Sequence, residues 1–342
     1  MTRPTLSVIL PFYQAAPWLE AAARSVLSDG FQDLELLLID DGSRDGGLAI
    51  AEALAMEDAR VRVFTGPNHG IVAALNHGLA EARAPLIARM DGDDLSLPGR
   101  FAAQLAFLDA HPEVAVVDGQ VEIFRDDGPL AGGMAAFSDW LAALKDHASL
   151  RAQLFVDSPL VHPAVMARKD VLRGVGGYVH VGPEDYHLWL RVVAAGHHLH
   201  KLPRQVLRWR DHGARLTRTD PRYDRRSFWS VKWRFIQEIG GIRRGQRLAV
   251  WGAGKEARPW LRALKEERWE VTTVVDIDPR KQGTTRHGFP TFPVDALLSR
   301  PWDRCLVAVG ARGAREDIGR RLAEAGIPLA PVGEERGAWF VA

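Results

Sequence analysis

Residues 71–101 read IVAALNHGLAEARAPLIARMDGDDLSLPGRF. Ile71, Ala74, Leu75, Gly78 and Leu79 recur at i, i+3, i+4, i+7 and i+8, the stripe of an amphipathic helix. The apolar run 85–90 that follows suits a strand buried on both faces, and three aspartates fall within four positions at its end. After Pro98, Phe101, Leu105 and Leu108 open a second helix. Upstream the same grammar repeats. Run 6–10 ends at Pro11, Trp18, Ala22 and Val26 keep helical spacing, and run 34–39 ends in Asp40-Asp41-Gly42-Ser43. Run 61–64 supplies a further strand before the quoted stretch, and run 114–117 another after it. Strand and helix alternate, which predicts an open, mostly parallel α/β sheet whose loops at the strand carboxyl ends hold the ligand.

At 342 residues the chain is long enough for about two domains. Lys plus Arg (44) nearly cancels Asp plus Glu (43), so no overall field draws the protein to nucleic acid, and any polyanion must be met locally. One cysteine, Cys305, excludes an internal disulfide and fits a reducing compartment. The first residues lack a signal-peptide pattern, and no apolar run approaches the roughly 18 residues that would span a bilayer. The expectation is a cytoplasmic protein, with peripheral contact at the inner face of a membrane left open by a basic stretch described below.

In such a sheet Asp40, Asp41, Asp91, Asp93 and Asp94 all lie at strand carboxyl ends, so two acidic turns converge on one crevice. Like charges at that density repel unless a cation or hydrogen-bond donors stand between them. Mg²⁺ or Mn²⁺ answers this economically, because it takes carboxylate oxygens and shares its remaining positions with substrate phosphates. A second acidic pair, Glu184 and Asp185 in GPEDYHLWLR, opens a helix after Pro183, with Tyr186, Trp189, Leu190 and Val193 on one face. Carboxylates are favoured at that end of the helix dipole, so the pair alone also reads as a stabilised helix start.

Four stretches, taken together and in order, carry a family resemblance: SVILPFYQ, LLIDDGSRDGG, NHGIVAALNHGLAEARAPLIARMDGDD and GPEDYHLWLRVVAAGH. Residues 5 to about 220 resemble an inverting glycosyltransferase of family 2 with the GT-A fold, the nucleotide-diphospho-sugar transferase architecture. Phe12 stands where that family usually has Thr, and Gln14 where it has Asn. The resemblance implies that Pro11 and Tyr13 line the nucleobase pocket and that Asp40 or Asp41 hydrogen-bonds the base, an acceptor carboxylate there suiting uracil. It implies that Asp91 touches ribose and that Asp93, alone or with Asp94, binds a metal bridging the diphosphate. Asp185 becomes the general base, with Glu184 orienting the acceptor or raising the base's pKa. His212 stands where relatives supply a histidine to the metal or diphosphate, and equally reads as an ordinary loop histidine. His162, Arg168 and Trp189 are acceptor-side candidates that read as well as packing residues. His197, His198 and His200 resemble a metal cluster, but Gly196 ends the helix before them and strand alternation sets His197 opposite the other two, so a solvated strand edge is expected.

Residues 208–235, RWRDHGARLTRTDPRYDRRSFWSVKWRF, break the alternating pattern. The chain is expected to divide into a GT-A domain (1–220), a basic aromatic connector helix (221–244) and a smaller Rossmann-like α/β domain (245–342). Between 222 and 247 stand eight Arg or Lys with Phe228, Trp229, Trp233 and Phe235. Such a segment suits anionic lipid or a polyanionic acceptor; as a connector helix, Trp229, Trp233 and Ile236 share one face at i, i+4 and i+7, and its aromatics dock the domains. In VWGAGKEA, Gly252 and Gly254 sit between a strand and a helix and Asp276 ends the next strand, an arrangement that takes a nucleotide or NAD(P) or serves only the tight turn. The expected activity is metal-dependent transfer from a nucleotide-diphosphate sugar, UDP-sugar favoured, to a saccharide or lipid-linked saccharide hydroxyl in cell-surface polysaccharide or glycolipid synthesis. A sugar nucleotidyltransferase would open with a glycine-rich loop where Pro11-Phe12-Tyr13-Gln14 stands; a non-catalytic nucleotide-sugar-binding protein would tolerate loss of Asp93 and Asp185.

Overall fold

Strands β1 (Leu6–Phe12) and β2 (Leu34–Asp40) are buried at every position. Their aliphatic side chains face helices on both sides, which is why they read as continuous apolar runs. With β3 (Val61–Thr65), β4 (Leu86–Arg89), β5 (Leu95–Ser96), β6 (Val114–Phe124), β7 (Met166–Arg168) and β8 (His198–Arg210) they form one eight-stranded sheet in the order β3-β2-β1-β4-β7-β6-β8-β5. The pairs among β1 to β4 and between β6 and β8 are parallel; β7 runs antiparallel to β4 and β6, and β5 antiparallel to β8. The computed structural model describes residues 3–130, 132–311, 313–331 and 336–342.

The order reverses at β1: the chain lays β2 and β3 on one side, then returns to place β4 on the other. A reversal of this kind leaves a crevice at the strand carboxyl ends. Pro11 helps to open it. Met90 N–H donates to Ile9 O at 3.0 Å, so by strand alternation Pro11 also faces β4, and having no N–H it cannot continue a ladder whose last register pair is Ile9 with Arg89. On the other edge Asp41 N–H still donates to Phe12 O at 3.0 Å. The helix Ile71–Glu81 packs close on β1 because Gly78 has no side chain: a Cβ there would stand 2.5 Å from Ile9 Cγ2. A buried ion pair, Lys201 Nζ to Asp118 Oδ2 at 2.5 Å, ties β8 to β6, and the same carboxylate oxygen accepts from Val161 N–H at 2.9 Å.

The chain divides into two units, Met1–Leu150 with Pro159–Tyr223, and Arg151–Ser158 with Asp224–Ala342. The second holds a six-stranded sheet of β9 (Arg247–Trp251), β10 (Glu270–Val275), β11 (Thr285–Arg286), β12 (Phe289–Phe292), β13 (Arg304–Val307) and β14 (Gly337–Phe340), ordered β11-β12-β10-β9-β13-β14 and parallel except at β11. The basic helix Arg225–Glu238 lies in this unit. Trp229 and Trp233 stack at 6.0 Å and both meet Trp260 edge-on, while Trp233 Nε1 donates to Glu267 at 2.7 Å. Its aromatic face is therefore spent on packing, and Arg225, Arg226 and Arg234 remain exposed. Among the described residues no helix is long and apolar enough to cross a membrane.

Candidate active site

The turn after β4 carries Asp91, Asp93 and Asp94, whose carboxylates offer ligand atoms all within 4.8 Å of one another. Each has a different second partner. Asp91 forms an ion pair with Arg89, a buried guanidinium at the end of β4. Asp93 Oδ2 lies 2.7 Å from His212 Nε2, and the imidazole packs against Trp18 with ring centres 4.7 Å apart. Asp94 is 1% exposed; its Oδ1 accepts Arg210 N–H at 2.8 Å, and its Oδ2 is buried with no hydrogen-bond partner. Burial and the charges of Asp93 and Asp91 push the Asp94 carboxyl well above the usual carboxylate range.

His212 reaches this turn through strand register. Leu95 pairs with Arg208 and Ser96 with Leu207, so the two-residue β5 carries the end of β8 antiparallel past Asp93 and Asp94. Arg210 Nε also donates to Asp93 O at 2.7 Å. The donor set fits a hard divalent cation. It consists of oxygen ligands from three carboxylates with an imidazole at their edge, and one buried oxygen is left with nothing to accept from.

Asp40 and Asp41 lie at the end of β2, outside that triad. Asp40 Oδ1 accepts from Ser43 N–H at 2.9 Å and Oδ2 from Thr65 Oγ1–H at 2.8 Å. Asp41 Oδ1 accepts from His69 N–H at 2.8 Å and Oδ2 from Gly70 N–H at 2.9 Å. All four oxygens thus anchor the turn, each keeping a second lone pair. Gln14 takes a left-handed conformation, φ 52°, and its Oε1 accepts Arg44 N–H at 2.6 Å, which knits the β1 and β2 turns together. Next to it Tyr13 is 52% exposed at the crevice lip, one of the few large apolar side chains left open to solvent.

Glu184 and Asp185 occupy the first two positions of the helix Glu184–Ala194. Glu184 is 3% exposed and accepts from Tyr223 O–H at 2.6 Å, while Asp185 is half-buried. Behind the pair, His162 Nε2 lies 2.9 Å from Tyr178 O–H and edge-on to the fully buried Trp189. Burial and the charge of Arg89 push His162 well below the ordinary imidazole range, so the ring is neutral. The indole N–H of Trp189 is buried without a hydrogen-bond partner.

Arg168 is placed elsewhere. It pairs with Leu86, at the end of β4 remote from Asp91, and its guanidinium donates to the carbonyls of Val114, Leu108 and His111. That fixes the end of a helix and leaves no acceptor-binding role at the crevice. In the second unit Asp276 Oδ2 accepts from Ala253 N–H at 2.8 Å and pairs with Lys281 Nζ at 2.9 Å, while Oδ1 accepts Asp278 N–H. A Cβ on Gly252 would stand 2.6 Å from Ala308 O, so backbone packing alone demands that glycine; Gly254 lies beneath Lys281. His198 and His200 stack singly on His147 and Phe107, not on a common ligand point.

Sequence reasoning did not single out Arg89, Tyr178 or Tyr223. Arg89 left a signal, a charge inside an apolar strand run just before the acidic turn. Tyr223 left none, since it stands 39 positions from its partner.

A family model described as Glycosyl transferase family 2 matches residues 7–176. Putative glycosyltransferase EpsE of Bacillus subtilis (strain 168) is 33% identical over 199 residues, covering 56% of this chain and 68% of EpsE. Amylovoran biosynthesis glycosyltransferase AmsE of Erwinia amylovora is 32% identical over 179 residues, 52% of this chain and 64% of AmsE. Among solved structures, residues 1–349 of S. aureus TarS in complex with UDP-GlcNAc superpose with a TM-score of 0.54 at 16% identity, covering 68% of this chain and 66% of that one. The chain thus spans about two thirds of each of these three proteins. Glu184, Asp185, His212 and nearly all of the second unit lie beyond the residues that the family model matches.

Proposed function

The chain belongs to glycosyltransferase family 2, and from that premise we propose that it transfers a glycosyl group with inversion, from a nucleotide-diphosphate sugar to a hydroxyl acceptor. The observation that carries the reading is the aspartate triad at the sheet's reversal point, with its orphaned Asp94 oxygen and with His212 brought in beside it. Asp93, Asp94 and His212 are assigned to a divalent cation, Mn²⁺ or Mg²⁺, which when bound supplies positive charge to a departing diphosphate. Asp91, oriented by Arg89, is assigned to the ribose. Pro11 and the exposed ring of Tyr13 are assigned to the base, where stacking on a flat heterocycle buries area that is now in water. The spare lone pairs of Asp40 or Asp41 accept a ring N–H, which favours uracil and hence a UDP-sugar.

Asp185 takes the acceptor's proton as its oxygen attacks the anomeric carbon from the side opposite the diphosphate; one displacement inverts the centre. Glu184 and neutral His162, backed by Trp189, shape the acceptor side. AmsE is named for amylovoran biosynthesis, which supports a saccharide or lipid-linked saccharide acceptor in polysaccharide synthesis for this chain. This chemistry is assigned to the first unit, which ends at Tyr223, three residues past the expected boundary at 220, and a scaffolding role is assigned to the domain at 245–342. There the Asp276 oxygens are already engaged, and a nucleotide at Gly252 and Gly254 would have to displace Lys281 from Asp276.

The test couples binding and product. Calorimetry should show UDP binding that requires Mn²⁺, and NMR of the product should show an inverted anomer. Asp185→Asn should keep the UDP affinity while turnover falls by about 10² or more, the scale of a lost general base. Wild-type turnover in that variant would remove Asp185 from the role.

A further inference from the structure

We propose that Tyr223 is a positioning residue for the transfer: its hydroxyl holds Glu184 in place beside Asp185 and thereby sets the charge and space in which the base works. The inference rests on the assignment of Asp185 as that base.

Glu184 is almost wholly buried, and the phenol hydroxyl donates to its Oε2 at 2.6 Å, the short distance of a charge-assisted bond. A buried carboxylate needs such a donor, because without one it turns away or takes up a proton. Either response changes what Asp185, the next residue, experiences. Tyr223 is itself held. It closes the short 3₁₀ turn Pro221–Tyr223 and is the last residue of the first unit. Arg222, whose guanidinium carbon lies 5.9 Å from the centre of its ring, is clamped by both carboxylate oxygens of Asp220 at 2.6 to 3.1 Å. Burial and the charges of Glu184 and Asp185 raise the pKa of the phenol, so it stays a donor and does not compete with Asp185 as a base. None of these interactions involves the aspartate triad, so donor binding and proton removal should separate on substitution.

The experiment uses the full chain with Mn²⁺ and follows UDP release from UDP-glucose, UDP-galactose and UDP-N-acetylglucosamine, with water as the acceptor. Wild type, Tyr223→Phe, Glu184→Gln, the double variant and Asp185→Asn are compared across pH, with UDP affinity measured by calorimetry. Tyr223→Phe should lower kcat about tenfold, the scale of one lost hydrogen bond to a charged group, and displace the acid limb of the pH profile. Donor KM and UDP affinity should stay at wild-type values. The double variant should lie closer to Glu184→Gln alone than to the product of the two single effects, because the amide oxygen accepts only a weaker, neutral hydrogen bond from the phenol. Multiplying effects, a changed UDP affinity, or a Tyr223→Phe enzyme with wild-type kcat and pH profile would each overturn the proposal. Loss of turnover in Asp185→Asn beside a normal Tyr223→Phe sinks this inference alone. Full turnover in Asp185→Asn sinks the base assignment beneath it.

Discussion

Asp94→Asn should make the metal-free protein more stable and at the same time destroy its response to metal. In the folded chain Asp94 is buried against Asp91 and Asp93, with one oxygen satisfied by Arg210 N–H and the other by nothing. Asparagine keeps the acceptor for Arg210 and turns the orphaned oxygen into a donor facing two carboxylates. Removing one unsatisfied buried polar atom is worth about 1–3 kcal/mol, and for a unit of this size each kcal/mol moves Tm by about 2–4 °C. The variant should therefore melt roughly 2–12 °C higher in EDTA. The pH dependence has a definite sign. A carboxyl whose folded pKa lies above its unfolded one holds its proton more tightly in the folded chain, so its contribution is fully present at low pH. It is lost as pH rises from the unfolded pKa to the folded one, and is constant above. In EDTA the wild type should lose stability through that window, and Asp94→Asn should lose less. Mn²⁺ with UDP should restore the wild type most at the upper end of the window and leave the variant unmoved. Thermal unfolding by fluorescence, with and without metal, reads all of this. A variant that melts lower in EDTA, or that keeps the full Mn²⁺ gain, would show that Asp94 is not a strained, metal-directed carboxylate.

Two further substitutions probe the same frame. His212→Ala should weaken Mn²⁺ and UDP binding together by about tenfold or more, the scale on which partners of a ligand carboxylate act; calorimetry that finds both unchanged assigns the ring to packing on Trp18. Lys201→Met removes the ammonium bonded to Asp118 in the core, and breaking a buried ion pair from one side should cost about 3–5 kcal/mol. The urea midpoint should fall with no change in slope, and an unchanged midpoint would mean that the N–H groups of Val161 and Gly119 suffice to hold that carboxylate.

Local pattern carried most of the first sheet. Residues that must bury two faces of a strand or one face of a helix show it in their periodicity, which is why the runs at 6, 34, 61 and 86 and the stripe from Ile71 are legible before any coordinates. The acidic turn was legible for the same reason, since Asp91, Asp93 and Asp94 are neighbours in the chain. Partnerships across the chain were not. The Asp93–His212 contact joins residues 119 positions apart and depends on a two-residue strand too short to leave a pattern. The Glu184–Tyr223 bond likewise needs the end of the unit to fold back on the helix start. Arg168 and Asp276 mark the converse: their type and place in the sequence suit a ligand, yet backbone carbonyls and amides met in three dimensions engage them first. Covalent order and side-chain chemistry determined which elements form and which groups can react. Which of those groups are left unsatisfied, and so available to a cation or a substrate, was decided only by tertiary structure, because a hydrogen bond or a buried charge is a property of the pair and not of either residue alone.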